Sequence, residues 1–132
     1  MWFESPPGVG FSVVGQQNNT ITNDTQATED NLQSLVTFLS LWPEYRTNDL
    51  YIAGESYAGV YVPFLAHYVQ QYNIGKPAGE QINLKGFLYG NGVTSVKFDH
   101  SVETYADFMW WHALYGQQTR DNYTDVCVDN FD

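Results

Sequence analysis

Positive charge is scarce in this sequence. Five Lys and Arg stand against fifteen Asp and Glu, which with neutral His leaves a formal charge of −10. Nucleic acid and anionic membranes are held by matching basic charge, so this balance argues against both as partners. Long apolar runs are missing as well. A membrane-spanning helix needs about eighteen or more apolar residues in succession, and no such run occurs. The opening Met1-Trp2-Phe3-Glu4-Ser5-Pro6 lacks the basic flank and apolar centre of a signal peptide, and reads as starting inside a domain. Cysteine occurs once, as Cys127, which excludes an internal disulfide; the thiol is free or has lost a partner in missing sequence. No internal repeat or low-complexity tract occurs, and no cofactor or metal is expected.

What the chain has is apolar and aromatic weight. Hydrophobic residues make up 43% of the 132 positions and aromatics 17%, with ten Tyr and four Trp, while charged residues make up only 15%. An average domain has about 25% charged residues, so the chain is neither disordered nor coiled-coil. Its length supports one modest core, as one domain or part of one. A sequence pI near 4.3 fits a solvated acidic surface, or adaptation to an acidic lumen or extracellular fluid. Three Asn-x-Thr sequons stand at Asn18, Asn23 and Asn122. Chance supplies roughly one, so the excess tilts toward the secretory pathway and marks all three as glycosylation candidates.

Taken in order, Met1 to Glu4 reads as the end of a strand, followed by a tight loop through Pro6, Pro7, Gly8 and Gly10. Phe11 to Val14 extends briefly before a polar loop from Gly15 to Thr25. Asp24 or Thr25 is expected to cap a helix running to Trp42, with Leu32, Leu35, Val36, Leu39 and Trp42 on one face and Pro43 stopping it. A strand is expected from Leu50 to Ala53, with Tyr51 and Ile52 buried. After Ser56 a second helix is expected with Pro63 in its first turn and a stripe of Phe64, Leu65, Tyr68, Val69 and Tyr72. Gly75 and Pro77 end it, and Ile82 to Tyr89 forms the next strand, closed by Gly90-Asn91-Gly92. The plan is α/β: parallel strands joined by crossover helices. Residues 1–92 form the β/α units, and 93–132 the start of a helical insertion or cap, with an aromatic helix from Val102 to Tyr115.

The chain's chemistry centres on Gly54-Glu55-Ser56-Tyr57-Ala58-Gly59. A β-prone run ends in a serine fenced by small residues, and a helical pattern follows at once. That is the local pattern of a nucleophile elbow, in which a sharp strand-to-helix turn lifts the hydroxyl clear of a sheet. Ala58 takes a place where glycine is usual, and its methyl group is still small. A serine hydroxyl needs a general base. His67, eleven residues beyond Ser56, is roughly 16 Å along the helix and is not that base. His100 and His112 follow the last core strand, and neither is read as the base. Glu55 has two readings. Half-buried beside a nucleophile, it is a carboxyl whose raised pKa lets it donate to a substrate carboxylate; otherwise it packs or faces solvent.

The stretches ESPPGVGFS and GESYAGVYVP resemble the serine carboxypeptidases, α/β-hydrolases that remove C-terminal residues from peptides. DTQATEDNLQSLVTFLSLWPEY, INLKGFLYGNG and DFMWWHALYG are similar to further family segments, with Ala113 replacing a family glycine. The resemblance implies a partial α/β-hydrolase domain over 1–132 with Ser56 as nucleophile and the Tyr57 backbone N–H as one oxyanion-hole donor. It implies that Glu55 helps bind the terminal carboxylate of a peptide or protein substrate. The family's second acid and carboxylate-binding Asn belong to an upstream Gly-Gly-Pro-Gly-Cys-Ser-Ser region, and its Asp and His lie downstream of Asp132. Cys127 resembles a family cysteine whose disulfide partner is missing. The expectation is therefore a secreted or vacuolar/lysosomal serine carboxypeptidase, of which this chain alone is inactive. The alternatives are a carboxypeptidase-like acyltransferase and a non-catalytic scaffold.

Overall fold

The computed structural model describes residues 1–13, 23–95, 99, 102–123 and 125–126. Asn18, His100 and Cys127 lie outside the described residues. The chain divides into two compact units, Met1–Gly92 and Val93–Asp132.

In the first unit, helix α1 (Asp24–Leu41) precedes strand β1 (Leu50–Glu55), helix α2 (Ala58–Asn73) and strand β2 (Leu84–Gly90). β1 and β2 pair in parallel, with Leu50 beside Leu84 and Glu55 beside Gly90. Parallel neighbours need a crossover, and α2 supplies it. α2 packs against both the sheet and α1. Its Leu65 and Val69 meet Leu35 and Leu39 of α1 and Ile82, while Leu50, Ile52 and Leu84 pack on the same cluster. Burial of each such side chain contributes about 1.5–3 kcal/mol.

Several local expectations change. α1 is capped by Asn23, not Asp24 or Thr25: Asn23 is extended and its Oδ1 accepts the Gln26 N–H at 2.9 Å. Trp42 ends this helix as its C-cap and remains 46% exposed, while Ala27 and Thr28, outside the expected stripe, are buried. α2 begins at Ala58, so Pro63 stands sixth in the helix, beyond the first turn. Two surfaces cover α2 at once, and its buried set becomes Gly59, Val62, Leu65, Ala66 and Val69, leaving Phe64 exposed.

Ile82, though deeply buried, lies outside the ladder. The Asn73 side chain clamps its main chain, donating to Ile82 O and accepting from Ile82 N–H, both at 2.8 Å. β1 is not buried on both faces. Its burial alternates, and Tyr51 is 58% exposed, because the helices cover one side of the two-stranded sheet. Met1 to Glu4 forms no strand, and residues of this segment and of β1 line an apolar groove of about 400 Å³. Nor do residues 11–13 form one. The Glu4 carboxylate accepts the Phe11 N–H and so closes the proline-glycine loop.

In the second unit, α3 (Val102–Trp111) and α4 (Gln117–Tyr123) replace the single helix expected to Tyr115. The break has a cause. Ala113 adopts φ 54°, its N–H bonds Trp110 O at 2.9 Å, and Leu114 N–H bonds Met109 O at 3.0 Å, a Schellman closure. Arg120 joins the two helices through Asp107 at 3.2 Å and lies 4.9 Å from the Trp110 ring centroid. Among the described residues, no helix is long and apolar enough to cross a membrane.

Candidate active site

β1 delivers Ser56 to the end of the sheet. The serine N–H makes the last rung, to Gly90 O at 3.0 Å, and the backbone then turns sharply with Ser56 at φ 61°. A non-glycine residue in this left-handed region is strained, and such conformations gather at functional turns. The helix starts immediately. Gly59 N–H bonds Ser56 O at 3.0 Å and Val60 N–H bonds Tyr57 O at 2.9 Å, both three-residue closures.

The small residues around the serine follow from this close crossing. A Cβ on Gly54 would lie 2.4 Å from Ala58 Cβ and 3.3 Å from Val62 Cγ2. The Ala58 methyl group therefore fills the space that a Gly54 side chain would need, which is why alanine is tolerated at one place once glycine holds the other. Gly92, beyond β2, approaches the same turn: a Cβ there would lie 3.0 Å from the Gly59 backbone. That role for Gly92 was not read from the sequence, because the pair Gly59 and Gly92 meets only through the crossover.

Ser56, Glu55 and Tyr57 are all exposed at the end of β1. Of the two readings of Glu55, the solvent-facing one describes this chain, in which its side chain is exposed and not half-buried. Glu55 continues the outward-facing alternation of Tyr51 and Ala53, on the side of the sheet that no helix of this unit covers. The Tyr57 N–H has no acceptor among the described residues and stands at the start of α2. Unpaired N–H groups and the helix dipole there favour negative charge. The Tyr57 hydroxyl donates to the Asp24 carboxylate, at 3.2 Å from Oδ1 and 3.1 Å from Oδ2, and its ring meets Tyr61 edge-on at 4.9 Å. The hydrogen bond to Asp24, then partial desolvation and the charge of Asp24, raise the Tyr57 phenol above its ordinary value of 10.0. Desolvation first, then Asp24, raise Tyr61 likewise.

Among the described residues of the first unit, the Ser56 hydroxyl makes no hydrogen bond to a general base. The sequence of that unit holds one histidine, His67, which is exposed on α2 with its ring edge-on to Tyr68. His112, in the second unit, is engaged locally: its Nδ1 lies 2.7 Å from Phe108 O and its ring stacks on Phe108 at 4.1 Å. Of the sequons, Asn23 caps α1 and Asn122 is exposed on α4. Among the described residues, no group of three or more His, Cys, Asp or Glu side chains is placed to hold a metal ion.

A parallel strand that ends in a left-handed serine and runs straight into a helix has the geometry of an α/β-hydrolase nucleophile elbow. The chain belongs to the serine carboxypeptidase family, whose sequence pattern matches residues 1–132. It is 41% identical over 130 residues to serine carboxypeptidase 24 of Arabidopsis thaliana, covering 96% of this chain and 27% of that protein. It is 37% identical over 131 residues to the lysosomal protective protein of Mus musculus, covering 98% of this chain and 26% of that protein. The chain thus spans about a quarter of the length of these relatives. The fold matches the crystal structure of a prohormone-processing carboxypeptidase from Saccharomyces cerevisiae with a TM-score of 0.68 at 23% identity, over 98% of this chain and 30% of that one. The architecture is accordingly part of an α/β-hydrolase fold.

Proposed function

We propose that this chain carries the nucleophile of a serine-type carboxypeptidase, with Ser56 forming an acyl-enzyme on the substrate's scissile carbonyl. The observation that carries this reading is Ser56 at φ 61° between the end of β1 and the start of α2, inside a chain of this family. The Tyr57 backbone N–H stabilises the oxyanion, and Glu55 at the mouth of the turn engages the terminal carboxylate of a peptide or protein as a protonated hydrogen-bond donor, its proton shared with a second acid as the family resemblance implies. The base is supplied from outside these 132 residues, so the chain alone does not turn over. Val93 onward begins a helical insertion or cap. The three sequons, the acidity and the name of the mouse relative support a secretory-pathway protein, secreted or vacuolar/lysosomal, glycosylated at Asn18, Asn23 and Asn122.

The test uses the full natural protein that contains this sequence. Release of the last residue from a blocked dipeptide and labelling by a fluorophosphonate are expected, both abolished by Ser56→Ala. Turnover that survives Ser56→Ala would sink the assignment. Acyl transfer to an alcohol in preference to water would make the protein an acyltransferase on the same elbow.

A further inference from the structure

We propose that Asp24 is a positioning residue for the elbow: through the Tyr57 hydroxyl it holds the peptide whose N–H faces the oxyanion. This rests on the reading of Ser56 as nucleophile and adds to it a residue from another helix, 33 positions upstream in the chain.

The need for such a tether is visible in α2 itself. Tyr57 is the N-cap of that helix, yet no side chain caps the turn, and the first closures are the three-residue bonds to Ser56 O and Tyr57 O. A helix start without a cap frays easily. An oxyanion donor works only if its direction is set before charge develops, so fraying at Tyr57 would act directly on rate. What restrains Tyr57 beyond its own turn is its side chain. The hydroxyl reaches both Asp24 oxygens, and Tyr61 packs edge-on against the ring from one helical turn away.

Asp24 is itself well anchored. It is the first residue of α1, directly after the Asn23 cap, and its carbonyl accepts the Thr28 hydroxyl at 2.6 Å. Thr28 and the neighbouring Ala27 are each only 1% exposed, so the start of α1 is seated in the core. α1 therefore serves as a fixed post, and the Asp24–Tyr57 bond transmits its position to the residue after the serine. A bond with only a structural role would alter melting temperature; a positioning bond alters kcat with little change in KM.

The experiment is a double-mutant cycle in the full natural protein, with Asp24→Ala, Tyr57→Phe and the pair, read as kcat, KM and melting temperature on a blocked dipeptide. Each single change is expected to lower kcat roughly tenfold, below the roughly hundredfold that a 1 Å misplacement can cost. The double variant is expected to be no slower than either single. Asp24→Asn, which keeps an acceptor oxygen, retains most of the rate. Wild-type kcat in Tyr57→Phe, or a double variant slowed by the product of the singles, would overturn the proposal. Tyr57→Phe keeps the ring, so the question stays answerable even where Asp24→Ala unfolds the protein. The Ser56→Ala control separates the two levels: loss of turnover there with an unaffected cycle removes the role of Asp24 and leaves the nucleophile in place.

Discussion

Gly54 and Ala58 approach so closely across the turn at Ser56 that one methyl group occupies the room available to both: a Cβ on Gly54 would lie 2.4 Å from Ala58 Cβ. Real Cβ atoms do not approach so near, so Gly54→Ala forces β1 and α2 apart at the serine. We expect a loss of about 1–3 kcal/mol, typical of overpacking, together with loss of fluorophosphonate labelling. Combining it with Ala58→Gly removes the 2.4 Å clash and is expected to restore labelling, leaving the roughly 1 kcal/mol helix cost of glycine and the 3.3 Å approach to Val62 Cγ2. Thermal melts beside labelling rates decide the matter, and an inert double variant would count against the steric explanation.

Ala113 carries a left-handed conformation that glycine adopts without penalty. Ala113→Gly is expected to stabilise the α3 terminus by about 1 kcal/mol, since the left-handed region costs an L-residue roughly 1–2 kcal/mol. Urea unfolding gives the comparison. A lower midpoint would mean that the alanine methyl makes a contact worth more than its strain.

Asn23 combines a helix cap with a glycosylation sequon. In a host that adds no glycans, Asn23→Ala should cost about 1 kcal/mol, whereas Asn23→Asp keeps a capping oxygen and most of the stability. In a secretory host, the Asp variant should lose an endoglycosidase-sensitive mass shift. Glycan transfer to Nδ2 leaves Oδ1 as an acceptor, so cap and glycan are compatible at one residue. Equal melting of Asn23→Ala and wild type without glycans would remove the cap's importance.

Alkaline pH should open the Asp24–Tyr57 tether. The phenol donates only while protonated, and its folded pKa is raised above the ordinary 10.0 by the hydrogen bond to Asp24, with desolvation and charge adding to it. Its contribution is therefore full below pH 10.0 and is lost as pH rises through the higher folded value. Ultraviolet titration of tyrosinate should show a late-ionising group that Tyr57→Phe removes and Asp24→Asn moves back toward the ordinary range. Identical curves for wild type and Tyr57→Phe would show that Tyr57 is not that group.

The outer face of the sheet carries Tyr51 at 58% exposure and, beside its neighbour Ala53, Leu88 at 59%. An apolar face of this kind, on strands with open edges, invites association. The 132-residue chain by itself is expected to bind a hydrophobic dye and scatter light, and Tyr51→Lys with Leu88→Lys should reduce both. Unchanged scattering would place the association elsewhere.

Much of this architecture was legible in order along the chain. The spacing of Leu32, Leu35, Val36 and Leu39 and the β-prone run before Ser56 name α1 and β1 from neighbours alone, because periodicity is a local property. The same logic misplaced Tyr51. A strand pattern says which residues share a face, but which faces are covered depends on what packs there, and only the inner face meets α2. Ile82 looked like strand and is core, since the Asn73 side chain satisfies its backbone in place of a ladder.

The site divides along the same line. By itself the sequence determined the serine, its small neighbours and the short polar step into a helix, because a sharp turn tolerates few residue types at fixed spacing. It also determined the family, through segments spread over nearly the whole chain. Tertiary structure alone decided that Gly54 yields its space to Ala58, that Glu55 faces away from the helices, and that Asp24 holds Tyr57. These are contacts between elements distant in sequence, made by the crossover of β1, α2 and β2 and by the packing of α1, and no local pattern encodes which side chains such packing brings together.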